Sequence, residues 1–256
     1  MSLNLCRPQR SVTVARAPRV MREWMQRLYL EADHGYRDQI LSLLPARPEL
    51  RILDVVCDDG AWTSELARKA GAAPSQVAGI EILERRRQLA LARGFDVRGA
   101  DLDELWPFDD SSFDVVHANQ VIEHVHGLDH FVSETRRVLA VGGQAIVCTE
   151  NLASWHNIFA LTMGWMPFSL SNISARGNVG NPLSLHMGEE PAHGDSWQHT
   201  RVLSLSGLRS IFQLHGMTVE SVFASGYYPA SGELSRALAR RDARHAHFIG
   251  VAARRA

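Results

Sequence analysis

The segment Arg51-Ile-Leu-Asp-Val-Val-Cys-Asp-Asp-Gly60 constrains the fold more than any other part of the chain. Its apolar half reads as a short buried strand, and that strand runs straight into an acidic turn closed by glycine. A second short strand, Gln76-Val-Ala-Gly-Ile-Glu81, follows and ends on a carboxylate. Strand, tight turn, helix, strand and terminal acid is the order in which a doubly wound α/β sheet builds a nucleoside pocket. The turn offers backbone N–H groups and a helix N-terminus to a ligand, and a carboxylate with two oxygens matches a vicinal diol.

The pattern continues as a strict alternation. Strands are predicted at 52–56, 77–81, 96–99, 113–118 and 144–149, separated by helices at 61–70, 84–93 and 128–139. Glycines 71 and 94 close the first two helices. Such an alternation argues for a mostly parallel sheet. Ahead of it, apolar residues at near-helical spacing from Val20 to Leu44 predict one or two helices, with a break near His34-Gly35. The regularity stops at Glu150. The next stretch is rich in Asn, Ser, Gly, Trp and His, and order returns with a helix at 206–215 and strands at 217–224 and 246–253. The organisation is therefore a single domain: an arm and helical cap over 1–47, a core over 48–150, an insertion over 151–200 and C-terminal strands over 201–256.

Composition enters mainly by exclusion. A chain of 256 residues that is 45% hydrophobic has ample material for one buried core. Its formal net charge of -1 gives no footprint for nucleic acid or a charged membrane surface. No apolar run is long enough for stable membrane insertion. Cys6, Cys57 and Cys148 lack the spacing of a zinc site or a disulfide framework, so a reducing cytoplasmic setting is the default.

Taken in order, six pieces resemble the class I S-adenosylmethionine-dependent methyltransferases, in particular the small-molecule branch. They are Ile52–Gly60, Gly79-Ile-Glu81, Ala100-Asp-Leu102, Phe108–Val116, Val121-Ile-Glu-His-Val125 and Arg137–Gly143. The resemblance implies a seven-stranded Rossmann-like sheet with its last two strands antiparallel to each other, and S-adenosyl-L-methionine as cofactor. That cofactor has no pyrophosphate, which suits a loop without the GxGxxG fingerprint. By the same resemblance Asp54 helps hold the methionine ammonium, with Val56, Cys57, Asp58 and Gly60 forming the loop. Glu81 and the adjoining Ile82 take the ribose side, Asp101 and the Leu102 N–H read adenine, and Asn119 and Gln120 line the methionine end. Val56 departs from the family, which usually has glycine there, and a β-branched residue crowds that end of the pocket.

Methyl transfer from a sulfonium needs positioning above all, and a general base only where the acceptor loses a proton. The base candidates are His124, His156, His186, His193 and His199, with His124 and His199 placed in the catalytic role. Two branches of the family carry a Glu-x-x-Glu-His run that contributes to a divalent metal site. Here the matching positions are Gln120, Glu123 and His124, with His199 as a fourth member. Gln120 lacks the anionic oxygen a hard cation prefers, so no metal is expected. The insertion, with Trp155, His156, Phe159, Trp165, Phe168 and Trp197, reads as a lid over a small or lipid-like acceptor methylated at oxygen. A satellite core or a homodimer contact is the other reading of that segment, and RNA methylation or non-catalytic nucleoside binding are the alternative functions.

Overall fold

The computed structural model describes residues 18–184 and 198–256. Its strands are β1 (Ile52–Val55), β2 (Val77–Ile80), β3 (Asp96–Arg98), β4 (Phe113–Asn119), β5 (Leu139–Glu150), β6 (Met217–Ser225) and β7 (Phe248–Arg255). They form one sheet in the order β3-β2-β1-β4-β5-β7-β6. Pairing is parallel from β3 through to β5, and β7 runs antiparallel to both β5 and β6. The mostly parallel sheet expected from the alternation is observed, and so are the seven strands and antiparallel ending that the resemblance implies.

The helices are α1 (Arg19–Leu43), α2 (Ala61–Ala70), α3 (Glu84–Ala92), α4 (Leu128–Val138), α5 (Trp155–Thr162), α6 (Leu205–Leu214) and α7 (Gly232–Arg241). Strand side chains alternate between two cores. Leu53, Val55, Val116, Ala118, Val147 and Val251 face one core together with Phe131 of α4 and Phe212 of α6. Ile52, Val115, Ile146 and Phe248 face the other, with Tyr36 of α1, Leu66 of α2 and Ala90 of α3. A sheet covered on both faces has strands buried throughout, as β1 and β2 are. Burying a large side chain in either core contributes about 1.5–3 kcal/mol.

Three elements differ from the sequence reading, one of them α5, which forms inside the stretch read as irregular. α1 is one unbroken helix, and Gly35 does not interrupt it. A Cβ at Gly35 would collide with Ser225 Oγ, so the glycine lets α1 lie against β6 instead of ending a helix. Gln39 reinforces that contact by donating its side-chain N–H to the Ala224 carbonyl at 2.9 Å. α7 was not predicted at all. It buries only Ser235 and Ala239, so it carries no wide apolar stripe to be read. Among the described residues no helix is long and apolar enough to cross a membrane.

Candidate cofactor site

A cavity of about 390 Å³ opens at the C-terminal edge of β1 and β4, where α1 passes over the turn that follows β1. Its volume lies within the usual range of about 300–1,000 Å³ for small-molecule pockets. α1 presents two adjacent stripes here. Leu28, Ala32, Tyr36 and Ile40 are buried in the core. One position further round, Tyr29, Asp33 and Arg37 line the cavity at four-residue spacing, with Tyr36 joining them. The opposite wall is Asp54, Val56, Cys57, Asp58, Asp59, Ala61 and Trp62, and the floor is His117, Asn119 and Gln120.

Backbone strain concentrates at this cavity. Among the described residues four non-glycines have left-handed φ: Val56 at 60°, Asp58 at 51°, Ser111 at 59° and Gln120 at 54°. All but Ser111 line the cavity. Such conformations cost about 1–3 kcal/mol each and persist at functional sites held by their surroundings. The β1 turn thus keeps the left-handed geometry that a glycine at 56 would adopt freely, and Val56 holds it with a 44% exposed side chain at the cavity wall. Gly60, at φ 77°, caps α2 in the same turn, and a Cβ there would press on Ala90. Cys57 is packed against Gly79, and burial raises its thiol far above the ordinary range, so it serves packing.

Asp54 and His117 are register partners on β1 and β4, both buried. Asp54 Oδ1 lies 2.7 Å from His117 Nδ1, and Asp54 Oδ2 accepts from Thr63 Oγ1 at 2.5 Å. Trp62 Nε1 donates to His117 Nε2 at 3.4 Å. An indole can only donate, so Nε2 accepts, and the imidazole proton sits on Nδ1 facing the carboxylate. Asp54 is therefore engaged chiefly within the fold, fixing the first turn of α2. His117 was not singled out from the sequence, although a histidine inside the apolar run Phe-Asp-Val-Val-His-Ala was the available signal.

Glu81, Ile82, Asp101 and Leu102 do not line the cavity. Glu81, just past β2, is buried, and each of its oxygens accepts a backbone N–H: Oε2 from Asp58 at 3.1 Å and Oε1 from Leu83 at 2.8 Å. Burial raises its carboxyl pKa against the opposing effect of those two bonds. Each oxygen keeps a second acceptor position. Ile82 is exposed, and Asp101 turns its carboxylate back onto the Asp103 N–H at 3.0 Å.

The catalytic candidates meet elsewhere on the same sheet edge. Glu123, His124 and His199 each place a ligand-competent atom within 4.8 Å of the others. His124 Nδ1 bonds the Gln198 carbonyl at 2.9 Å and His199 Nδ1 the Ser169 carbonyl at 2.7 Å, so both rings carry the proton on Nδ1 and leave Nε2 as an acceptor. Burial and the neighbouring His199 push His124 down to about 4, whereas burial pushes Glu123 up to about 7. Both Glu123 oxygens are buried without a hydrogen-bond partner. A carboxylate and two imidazoles of fixed tautomer form a donor set that suits a transition metal better than Mg²⁺.

Of the remaining histidine candidates, His186 and His193 lie outside the described residues, as does Trp197. His156 packs against His247, 3.1 Å away, and desolvation lowers it to about 3. No described residue of the insertion lines the cavity. Its Asn and Ser residues hold the segment to itself and to the body. Asn151 donates to the Arg244 and Ala246 carbonyls, and Asn157 donates to the Asn151 carbonyl and to Ser169 Oγ. Trp155 stacks on His245 and donates to the Tyr227 hydroxyl.

The chain matches the family model described as a methyltransferase domain over residues 21–222 and belongs to that family. It is 26% identical over 199 residues to the rat mitochondrial ubiquinone biosynthesis O-methyltransferase, covering 73% of this chain and 50% of that protein. It is 34% identical over 122 residues to the 27-O-demethylrifamycin SV methyltransferase of Amycolatopsis mediterranei, covering 44% of this chain and 43% of the other. The chain thus spans about half the length of these curated relatives. An S-adenosylmethionine-dependent methyltransferase from Mesorhizobium loti shares the fold with a TM-score of 0.57 at 21% identity, over 89% of this chain and 100% of that one.

Proposed function

We propose that the chain is an S-adenosylmethionine-dependent methyltransferase acting at an oxygen of a small or lipid-like molecule. The observation that carries this is the strained, polar cavity between α1 and the β1 turn, with a buried acid one strand away. Its residues fit the cofactor: four aspartates and an arginine surround the space for an amino-acid end, and Glu81 retains acceptor positions for a ribose diol. The two curated relatives are both named for oxygen methylation, which supports the choice of acceptor atom. When bound, the cofactor supplies a methyl group on a sulfonium sulfur.

The protein's part is then positioning, which is worth about 7–11 kcal/mol in well-oriented reactions. Asn119 and Gln120 border the methionine end, Glu81 and Ile82 the ribose, and Asp101 with the Leu102 N–H the adenine. His199 takes the acceptor proton at Nε2, its ring held by the Ser169 carbonyl. His124, pushed down to about 4, is a weak base at neutral pH. The described part of segment 151–200 covers the acceptor, α1 covers the cofactor, and the protein works in the cytosol.

Calorimetric titration with S-adenosylmethionine and S-adenosylhomocysteine tests the reading. Micromolar binding of both is expected, and a folded protein that binds neither overturns it.

The unpartnered Glu123 carboxylate favours a second reading, in which Glu123, His124 and His199 hold a metal that assists the acceptor. The two readings exclude each other at His199, because a metal-bound Nε2 cannot take a proton. Loss of turnover on chelation, restored by Mn²⁺ or Zn²⁺, would select the second.

A further inference from the structure

Beside the cavity, the C-terminal end of β5 carries an acid whose charge is left over. Ile146 and Cys148 face the core under α1, and the two-residue period of a strand puts Glu150 on the same side. Its register partner on β7, Phe248, belongs to that core too. Glu150 keeps 17% of its side chain exposed, and its one ion-pair neighbour among the described residues is His199 Nδ1 at 4.0 Å. That nitrogen already donates to the Ser169 carbonyl at 2.7 Å. Arg37, the cation of the cavity wall, is engaged by Asp33 at 2.9 Å.

Aromatic rings stand around this acid. Tyr29 lines the cavity and also approaches His247 and Phe248, with ring centroids 5.9 and 5.6 Å away. Tyr228 stacks on His247 at 4.9 Å, and His156 lies 5.1 Å from Tyr228. The Tyr228 hydroxyl is buried without a hydrogen-bond partner, as is His247 Nε2. The strongest fields on that hydroxyl come from Glu150, Tyr29, Glu31 and Asp33, three carboxylates and a phenol. Desolvation holds His156 and His247 below the ordinary imidazole range, so both rings are neutral at neutral pH and do not repel a cation. Aromatic faces attract cations through their quadrupole, and an unmatched carboxylate in the same wall adds a full charge.

We infer that Glu150, Tyr29 and Tyr228 form the site for a cationic amine on the acceptor, next to the cofactor cavity. The inference rests on the methyltransferase reading above and adds a substrate class, a hydroxylated amine. Glu150 supplies the countercharge, the two tyrosines supply ring faces, and the unpartnered Tyr228 hydroxyl accepts an ammonium N–H. An amine held as an ammonium has no free lone pair, so oxygen remains the nucleophile.

The test uses three phenols of matched shape that differ in the charge of the side arm: tyramine, 4-ethylphenol and 3-(4-hydroxyphenyl)propionate. Each is titrated into the full chain with and without saturating S-adenosylhomocysteine. Tyramine is expected to bind about 10- to 100-fold tighter than 4-ethylphenol, and the propionate weaker than either. Glu150→Gln should shrink the tyramine advantage to within about 3-fold, because the countercharge is gone. Equal binding of the three, no binding of tyramine, or an order that Glu150→Gln leaves unchanged overturns the inference. Should Glu150→Gln fail to fold, the order of the three probes on the unsubstituted protein decides. A protein that binds S-adenosylhomocysteine without that order refutes the amine site alone. One that keeps the order but binds no S-adenosylhomocysteine refutes the cofactor reading and leaves the amine site standing.

Discussion

Val56→Gly isolates the cost of the strained turn. Val56 holds φ at 60° with a β-branched side chain at the cavity wall. The left-handed conformation of such a residue costs about 1–3 kcal/mol. Glycine adopts it freely but loses about 0.5–1 kcal/mol through the greater freedom of the unfolded chain. The difference leaves a net stabilisation of about 1 kcal/mol, or a rise of about 2–4 °C in Tm for a chain of this length. Removing the side chain also widens the amino-acid end of the cavity, so S-adenosylhomocysteine should bind several-fold tighter. Thermal melts without ligand and calorimetric titration read the two effects separately. Val56→Ala is the control, because alanine relieves the branching and keeps a Cβ at the same φ. A Gly variant that melts lower than wild type, or an Ala variant as stable as Gly, would refute the argument from backbone strain.

Glu81→Ala should do more than remove a ligand contact. It strips the acceptors from the Asp58 and Leu83 N–H groups, at about 0.5–1.5 kcal/mol for each hydrogen bond lost, so Tm should fall together with cofactor affinity. A loss of binding at unchanged Tm would show that the turn does not depend on that carboxylate. His156 is lowered by desolvation to about 3, against about 6.5 in the unfolded chain. Between those values the unfolded state binds the extra proton, so the group's contribution is complete above pH 6.5 and is lost as pH falls towards 3. Replacing His156 by Gln should therefore reduce the slope of stability against pH in that window by up to about 1.4 kcal/mol per unit, read from denaturant midpoints. Asn157→Ala frees Ser169, whose carbonyl holds His199, and should lower kcat while S-adenosylhomocysteine affinity stays unchanged. Equal damage to both would make the segment structural alone.

The sheet was legible because its signals are local. Each parallel strand is a short apolar run bounded by turn residues, and Ala61–Ala70 ends on Gly71, whose N–H bonds back to the Ala67 and Arg68 carbonyls. The acidic turn and Glu81 could be read for the same reason. Arg37 and Asp33 could not, since their importance comes from α1 crossing a turn some twenty residues further along the chain. The pairing of Asp54 with His117 depends on the β1–β4 register, which no local pattern fixes. In the insertion, the irregular aromatic-rich composition reads as a lid over an acceptor, yet its Asn151, Asn157 and Ser169 are buried and satisfied by backbone and by one another. Composition alone does not distinguish a polar group that waits for a ligand from one that closes a loop.

The close approach of Gly35 to Ser225 has a consequence for the order of assembly. It fastens α1 to a strand almost two hundred residues later, and Tyr36 packs on Phe248 of β7 with ring centroids 4.6 Å apart. Contacts of that sequence separation are slow to form, because a long loop must close before they contribute. During synthesis the β1 turn emerges early, and the wall that carries Arg37 lacks its main seat until β6 and β7 leave the ribosome. Ligand binding can therefore serve as a report that the C-terminal strands have been added to the sheet.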